Sequence, residues 1–234
     1  VDQNTFRRVS VENWEASSNR EGTCNPPGGA RTLPVGQQTA RAREGEKEKD
    51  MDAHDMGADL EKVLITQQQL NQRLTQMAGE IDRDYAGRDI LMVGVLKGAV
   101  MVMADLARLV HTPLQMDWMA VSSYGKSTKS SGVVRILKDL DTDVAGRDVL
   151  IVEDIIDSGL TLAWLQSNLL ERGAASVRIA TALRKPDALK VDVTVDYVGF
   201  DIPNEFVIGY GLDYAEKYRN LPFVGTLAPH VYSN

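Results

Sequence analysis

Three stretches of this chain are apolar at almost every position: "DILMVGVL" at residues 89–96, "DVLIVED" at 148–154 and "SVRIATAL" at 176–183. A strand with one wet face alternates apolar and polar residues. A continuous apolar run of this length belongs to a strand covered on both faces. Helical spacing appears between these runs. In "TQQQLNQRLTQMAGEIDRDYAG", Leu70, Leu74, Met77, Ile81 and Tyr85 recur at three or four positions. Thr66 with Gln69 makes a capping-box start, and Gly87 a stop. "GAVMVMADLARLVH" and "TLAWLQSNLLERG" read as two more helices, and "LQMDWMAVSS" and "VVRIL" as two more strands. Strand, helix and strand joined by short links predict an α/β fold, a parallel sheet flanked by helices on both faces. From about residue 185 short strands alternate with turns, so a smaller C-terminal subdomain is expected over 185–234.

Residues 1–57 have a different composition. They are rich in Gly, Pro, Arg, Glu and Ser, with little apolar periodicity. Such a segment buries too little apolar surface to offset its ordering entropy, and is expected to be disordered. The first methionine, Met51, falls where the composition changes. Two readings stand side by side: a start site placed too early, with translation beginning at Met51, or a real flexible extension. Residues 58–234 are then the folded domain. With 43% hydrophobic residues, the 234-residue chain has material for one substantial core.

The net charge of −7 argues against nucleic acid as the main partner, because phosphate backbones attract basic surfaces. One cysteine, Cys24, permits no disulfide framework or cysteine metal site within a subunit. No apolar run approaches the roughly 18 residues of a membrane span, and no signal-peptide core precedes the domain. A cytoplasmic location is expected. His54, His111 and His230 are scattered and receive no catalytic role.

The second apolar run leads into "VLIVEDIIDSGLT" at residues 149–161. Ligands of open parallel sheets bind beyond the carboxyl ends of the strands. A helix start there offers free N–H groups to a phosphate, Ser158 and Thr161 add hydroxyls, and Gly159 permits close approach. Glu153 and Asp154 would repel that phosphate, so they suit ribose hydroxyls or a water-bridged Mg²⁺. A sugar phosphate satisfies both halves. The plainer alternative is an Asp or Ser N-cap with acids in the first helical turn. It accounts for Asp157 and Ser158, but not for two acids abutting a buried strand.

This stretch resembles the phosphoribosyl-pyrophosphate (PRPP) signature of the type I phosphoribosyltransferases, in the wording of the hypoxanthine-guanine phosphoribosyltransferases. "VLKGAVMVMADL" is similar to their pyrophosphate loop, "SSYGKSTKSSG" to their mobile loop, and "GFDIPNEFVIGYGLDYAEKYRNLPFVGTL" to their purine-binding hood. Four motifs in order, across roughly residues 60–230, are far more specific than one.

The resemblance implies the following roles. Glu153 and Asp154 bind the ribose hydroxyls, and Asp157, Ser158, Gly159, Leu160 and Thr161 hold the 5′-phosphate. Relatives often carry Lys at position 160, where a backbone N–H would serve equally. Asp157 doubles as the base that takes or shares the purine N7 proton. Lys97, Gly98 and Arg219 meet pyrophosphate, and the Leu96–Lys97 peptide can be cis. Ser123 and Tyr124 begin the loop that closes over the site and excludes water. Lys185 donates to the purine 6-oxo group and so disfavours adenine. Phe206 stacks on the base, Val207 meets its edge through the backbone, and Asp213 helps position it. Mg²⁺ is the implied cofactor, held by Glu153, Asp154 and Asp213, largely through water or PRPP. The implied assembly is a homo-oligomer, dimer or tetramer.

The expected activity is transfer of 5-phosphoribosyl from PRPP to N9 of hypoxanthine or guanine. The products are IMP or GMP and pyrophosphate, which is purine salvage by a glycosyltransferase. The rival is a regulator with the same fold that senses PRPP or nucleotide and controls nucleic acid. Such a protein would be expected to carry a basic face or an added DNA-binding domain. The acidic balance and the full set of hood motifs favour the enzyme.

Overall fold

The computed structural model describes residues 53–123 and 134–232. The apolar runs form β2 (Ile90–Leu96), β5 (Asp148–Ile156) and β6 (Ser176–Arg184), buried along most of their length. With β3 (Leu114–Ser123), β4 (Val134–Lys138) and β7 (Tyr197–Asp201) they build a six-stranded sheet in the order β4-β3-β2-β5-β6-β7. Every neighbouring pair is parallel except β3 with β4, an antiparallel edge.

Alternate residues of the central strands feed two separate cores, as the pleat requires. Ile90, Met92, Leu150 and Val152 pack with α1 (Gln67–Asp84) and α2 (Val100–Leu109) on one face. Leu91, Val93, Val149 and Ile151 pack with α3 (Leu160–Glu171) on the other. The doubly covered parallel sheet expected from the apolar runs is therefore present. Helix α1 starts as its sequence predicts. Gln69 N–H donates to the Thr66 hydroxyl at 3.3 Å, and the Gln69 side chain accepts from Thr66 N–H at 2.9 Å. Leu70, Leu74, Met77, Ile81 and Tyr85 are all buried, each apolar side chain contributing about 1.5–3 kcal/mol.

A second, three-stranded antiparallel sheet has the order β1-β9-β8. It joins β8 (Val207–Ile208) and β9 (Val224–Leu227) to β1 (Leu60–Ile65). The subdomain expected over 185–234 is thus composed differently. β7 belongs to the main sheet, and β1 enters the small sheet from ahead of α1. β1 is inconspicuous in sequence because Glu61, Lys62 and Val63 are all exposed, which leaves no alternation. The expectation of disorder over residues 1–57 also needs a boundary change. A 3-10 stretch spans Ala53–Asp59, and Met56 packs on the small sheet's own core of Ile208, Leu221, Phe223 and Leu227. Residues 1–52, with the Met51 start, lie outside the described residues, as does the stretch 124–133.

Candidate active site

Because β2, β3, β5 and β6 run parallel, the loops that follow them emerge at one edge of the sheet. This edge gathers Lys97 and Gly98 after β2, Ser123 at the end of β3, residues 157–161 after β5, and Lys185 after β6. Ser123 is paired with Val134 across the stem of the expected mobile loop. Tyr124 lies outside the described residues.

β5 runs two residues beyond the expected stretch, so Glu153 and Asp154 sit inside the strand, and Glu153 is 8% exposed. Burial first, and then the neighbouring Asp154 charge, push the Glu153 carboxyl well above the usual range. Burial also raises Asp154, although Arg219 nearby draws it down. One Asp154 oxygen accepts the Ile155 N–H at 2.8 Å. The other lies over Gly98, where a Cβ would stand 1.6 Å from it. Any side chain at position 98 would therefore expel Asp154. Among the described residues no cationic side chain comes within 4.0 Å of either acid. A buried and a half-buried carboxylate that repel each other suit a divalent cation or ribose hydroxyl donors. No group of three or more His, Cys, Asp or Glu side chains among the described residues could hold a metal ion unaided.

The turn after β5 is capped by Gly159 in the left-handed conformation (φ 75°), with no side-chain cap bond. The alternative of an Asp or Ser N-cap is thereby excluded. The first-turn N–H groups of α3 have neither an intrahelical acceptor nor a capping side chain, which is the anion-binding arrangement. Ser158 O accepts the Lys190 N–H at 3.0 Å, tying the turn to the chain beyond β6. Asp157 is exposed, whereas Lys185 is buried with its Nζ 3.6 Å from Asp157 Oδ2. Lys185 is positioned by its own N–H, which donates to Ile156 O at 2.9 Å.

The Leu96–Lys97 peptide is cis. A Cβ on Gly211 (φ 100°) would stand 2.1 Å from the Gly98 carbonyl oxygen, so the hood turn rests directly on the loop after β2. From that turn, Arg219 donates to Gly211 O at 2.7 Å and pairs with Asp213 at 2.7 Å. Asp213 also accepts the Glu216 N–H at 2.9 Å, so here it closes the turn and holds Arg219. Phe206 is half-exposed. The Tyr214 ring meets it edge-on at 5.8 Å, and Tyr232 approaches at 6.3 Å. Val207 beside it is buried in the small sheet.

Sequence reasoning missed three residues here. Tyr214 and Tyr232 flank Phe206 with no periodicity to mark them. Glu216 pairs with Lys97 at 3.0 Å, and its only signal was its position three residues before Arg219.

The phosphoribosyl transferase domain family matches residues 64–215. A hypoxanthine-guanine phosphoribosyltransferase of Mycobacterium tuberculosis is 57% identical over 180 residues, which cover 74% of this chain and 89% of the relative. The enzyme of the same name from Bacillus subtilis is 52% identical, covering 76% and 99%. A crystal structure of a hypoxanthine phosphoribosyltransferase from Staphylococcus aureus superposes with a TM-score of 0.75 at 46% identity, covering 77% of this chain and 98% of that one. An uncapped turn at the start of α3, a buried Glu153 beside half-buried Asp154 and an aromatic cluster around Phe206 accompany these likenesses, and the likenesses establish that the chain belongs to the phosphoribosyltransferase family, in its hypoxanthine-guanine branch.

Proposed function

We propose that the protein transfers the 5-phosphoribosyl group of PRPP to N9 of hypoxanthine or guanine, releasing pyrophosphate and forming IMP or GMP. The observation that carries this reading is the meeting of the uncapped α3 turn, the adjacent Glu153 and Asp154 carboxylates and the Lys185–Asp157 pair at one sheet edge. The 5′-phosphate is held by residues 157–161, and the ribose hydroxyls by Glu153 and Asp154. The C1′–O bond to pyrophosphate breaks as the N9–C1′ bond forms, and the purine N7 proton passes to Asp157. Lys185 donates to the 6-oxo group, Phe206 covers the base plane and Val207 meets its edge. The pyrophosphate oxygens are taken by Lys97, the Gly98 loop and Arg219. Closure of the loop begun by Ser123 and Tyr124 keeps water from the ribosyl cation.

Mg²⁺, when bound with PRPP, supplies charge neutralisation. Glu153 and Asp154 would hold it, and Asp213 would take part by releasing some of its grip on Arg219. The protein works as a homo-oligomer in the cytoplasm, checked by light scattering and by cell fractionation.

The deciding assay is pyrophosphate release from purified protein with PRPP and Mg²⁺, across hypoxanthine, guanine, xanthine and adenine. Turnover with the two 6-oxo bases and none with adenine is expected. A sensor that binds PRPP without reacting would turn over none of the four, and that outcome would overturn the proposal.

A further inference from the structure

Glu216 reaches both cations proposed to grip pyrophosphate. Its Oε2 accepts from Lys97 Nζ, 119 positions away, at 3.0 Å and from Arg219 at 3.4 Å, so one carboxylate oxygen bridges two elements distant in sequence. The turn that delivers it is unusual. Ala215, Glu216 and Tyr218 have φ of 51°, 63° and 74°, a region that residues with a Cβ avoid. The turn is closed by reciprocal hydrogen bonds between Tyr214 and Lys217, and by the Glu216 N–H donated to Asp213. It also rests on the loop carrying Lys97, through Gly211 against Gly98. Such a backbone persists where its surroundings over-determine it, and here it aims a carboxylate at two cations. The Lys97 and Glu216 side chains are each 65% exposed, so this pair is weak and readily exchanged.

We propose that Glu216 is an anionic place-holder. In the empty enzyme it keeps Lys97 and Arg219 oriented. It gives way to the pyrophosphate moiety of PRPP, and after the reaction it competes with product pyrophosphate for the same two cations and so speeds release. Glu216 is a positioning residue, and the inference rests on the assignment of Lys97 and Arg219 to pyrophosphate.

The test is calorimetric titration of magnesium pyrophosphate into the full-length wild type, Glu216→Gln, Glu216→Asp, Lys97→Met and Arg219→Gln, with stopped-flow measurement of pyrophosphate release. Glu216→Gln is expected to bind pyrophosphate about three- to fivefold more tightly, the scale of an exposed ion pair, and to release it correspondingly more slowly. Glu216→Asp, too short to span both cations, should fall between it and the wild type. Damage to the fold weakens binding, so tighter binding separates the place-holder from a merely structural residue. Unchanged or weaker binding in Glu216→Gln, with binding weakened in Lys97→Met and Arg219→Gln, overturns the place-holder alone. Unchanged binding in Lys97→Met and Arg219→Gln overturns the pyrophosphate assignment, and the place-holder with it.

Discussion

Replacing Asp157 by asparagine removes a proton acceptor and preserves the shape of the turn. The variant should keep its melting temperature and its KM for PRPP within about twofold. Its kcat should fall by about 10²-fold or more, the scale of a general-base contribution; steady-state kinetics with hypoxanthine check this. Lys185→Met removes the buried donor beside Asp157, and should lower kcat/KM for hypoxanthine by about 10- to 100-fold. The adjacency of these two residues was not legible in the sequence, which sets them 28 positions apart. It follows from the parallel pairing of β5 with β6, which aligns Ile156 with Arg184 and leaves the next residue of each strand side by side. The turn that starts α3, proposed to hold the 5′-phosphate, was legible as a helix start, because Ser-Gly-x-Thr after an apolar run is a local signal. Glu216 was not, because its meaning depends on a lysine brought close only by the fold.

Among the elements, the main strands announced themselves by continuous burial and α1 by its spacing and cap, whereas β1 stayed hidden because it lies on the small sheet with three residues exposed. A less visible anchor is Asp117 on β3, which is 6% exposed. Its carboxylate accepts the N–H groups of Trp118 (2.7 Å), Asp141 (3.0 Å) and Thr142 (2.8 Å), pinning the link from β4 to β5. Burial alone would raise its carboxyl. The N–H groups of Trp118 and Thr142, the Thr142 hydroxyl and the Lys138 charge outweigh burial and hold it below the ordinary aspartate value. Asp117→Asn points an amide NH₂ at backbone donors and should destabilise the fold by about 1–3 kcal/mol at pH 7, read by urea unfolding. A carboxyl lowered on folding contributes its full stability above the unfolded value, and loses it as pH falls through the folded one. The gap between wild type and variant should therefore persist at neutral pH and narrow below about pH 4.

Across the whole molecule, the small sheet reaches three strands only because a strand ahead of α1 pairs with one near the C-terminus. A chain beginning at Met51 retains every described element and should match the full chain in melting temperature and kcat. A chain beginning at Thr66 lacks β1, strips β9 of a partner and exposes the core around Leu227. It should lose base binding first, seen as a raised KM for hypoxanthine, with melting lowered by several degrees. Besides the Lys97–Glu216 pair, the loop after β2 carries two backbone-level contacts, Asp154 on Gly98 and the Gly98 carbonyl on Gly211. Those two contacts tie distant codons in couples, 98 with 154 and 211 with 98. A lineage that gained a methyl at position 98 would have to shorten or turn aside residue 154 in the same step, and one that gained a methyl at 211 would have to shift the backbone at 98.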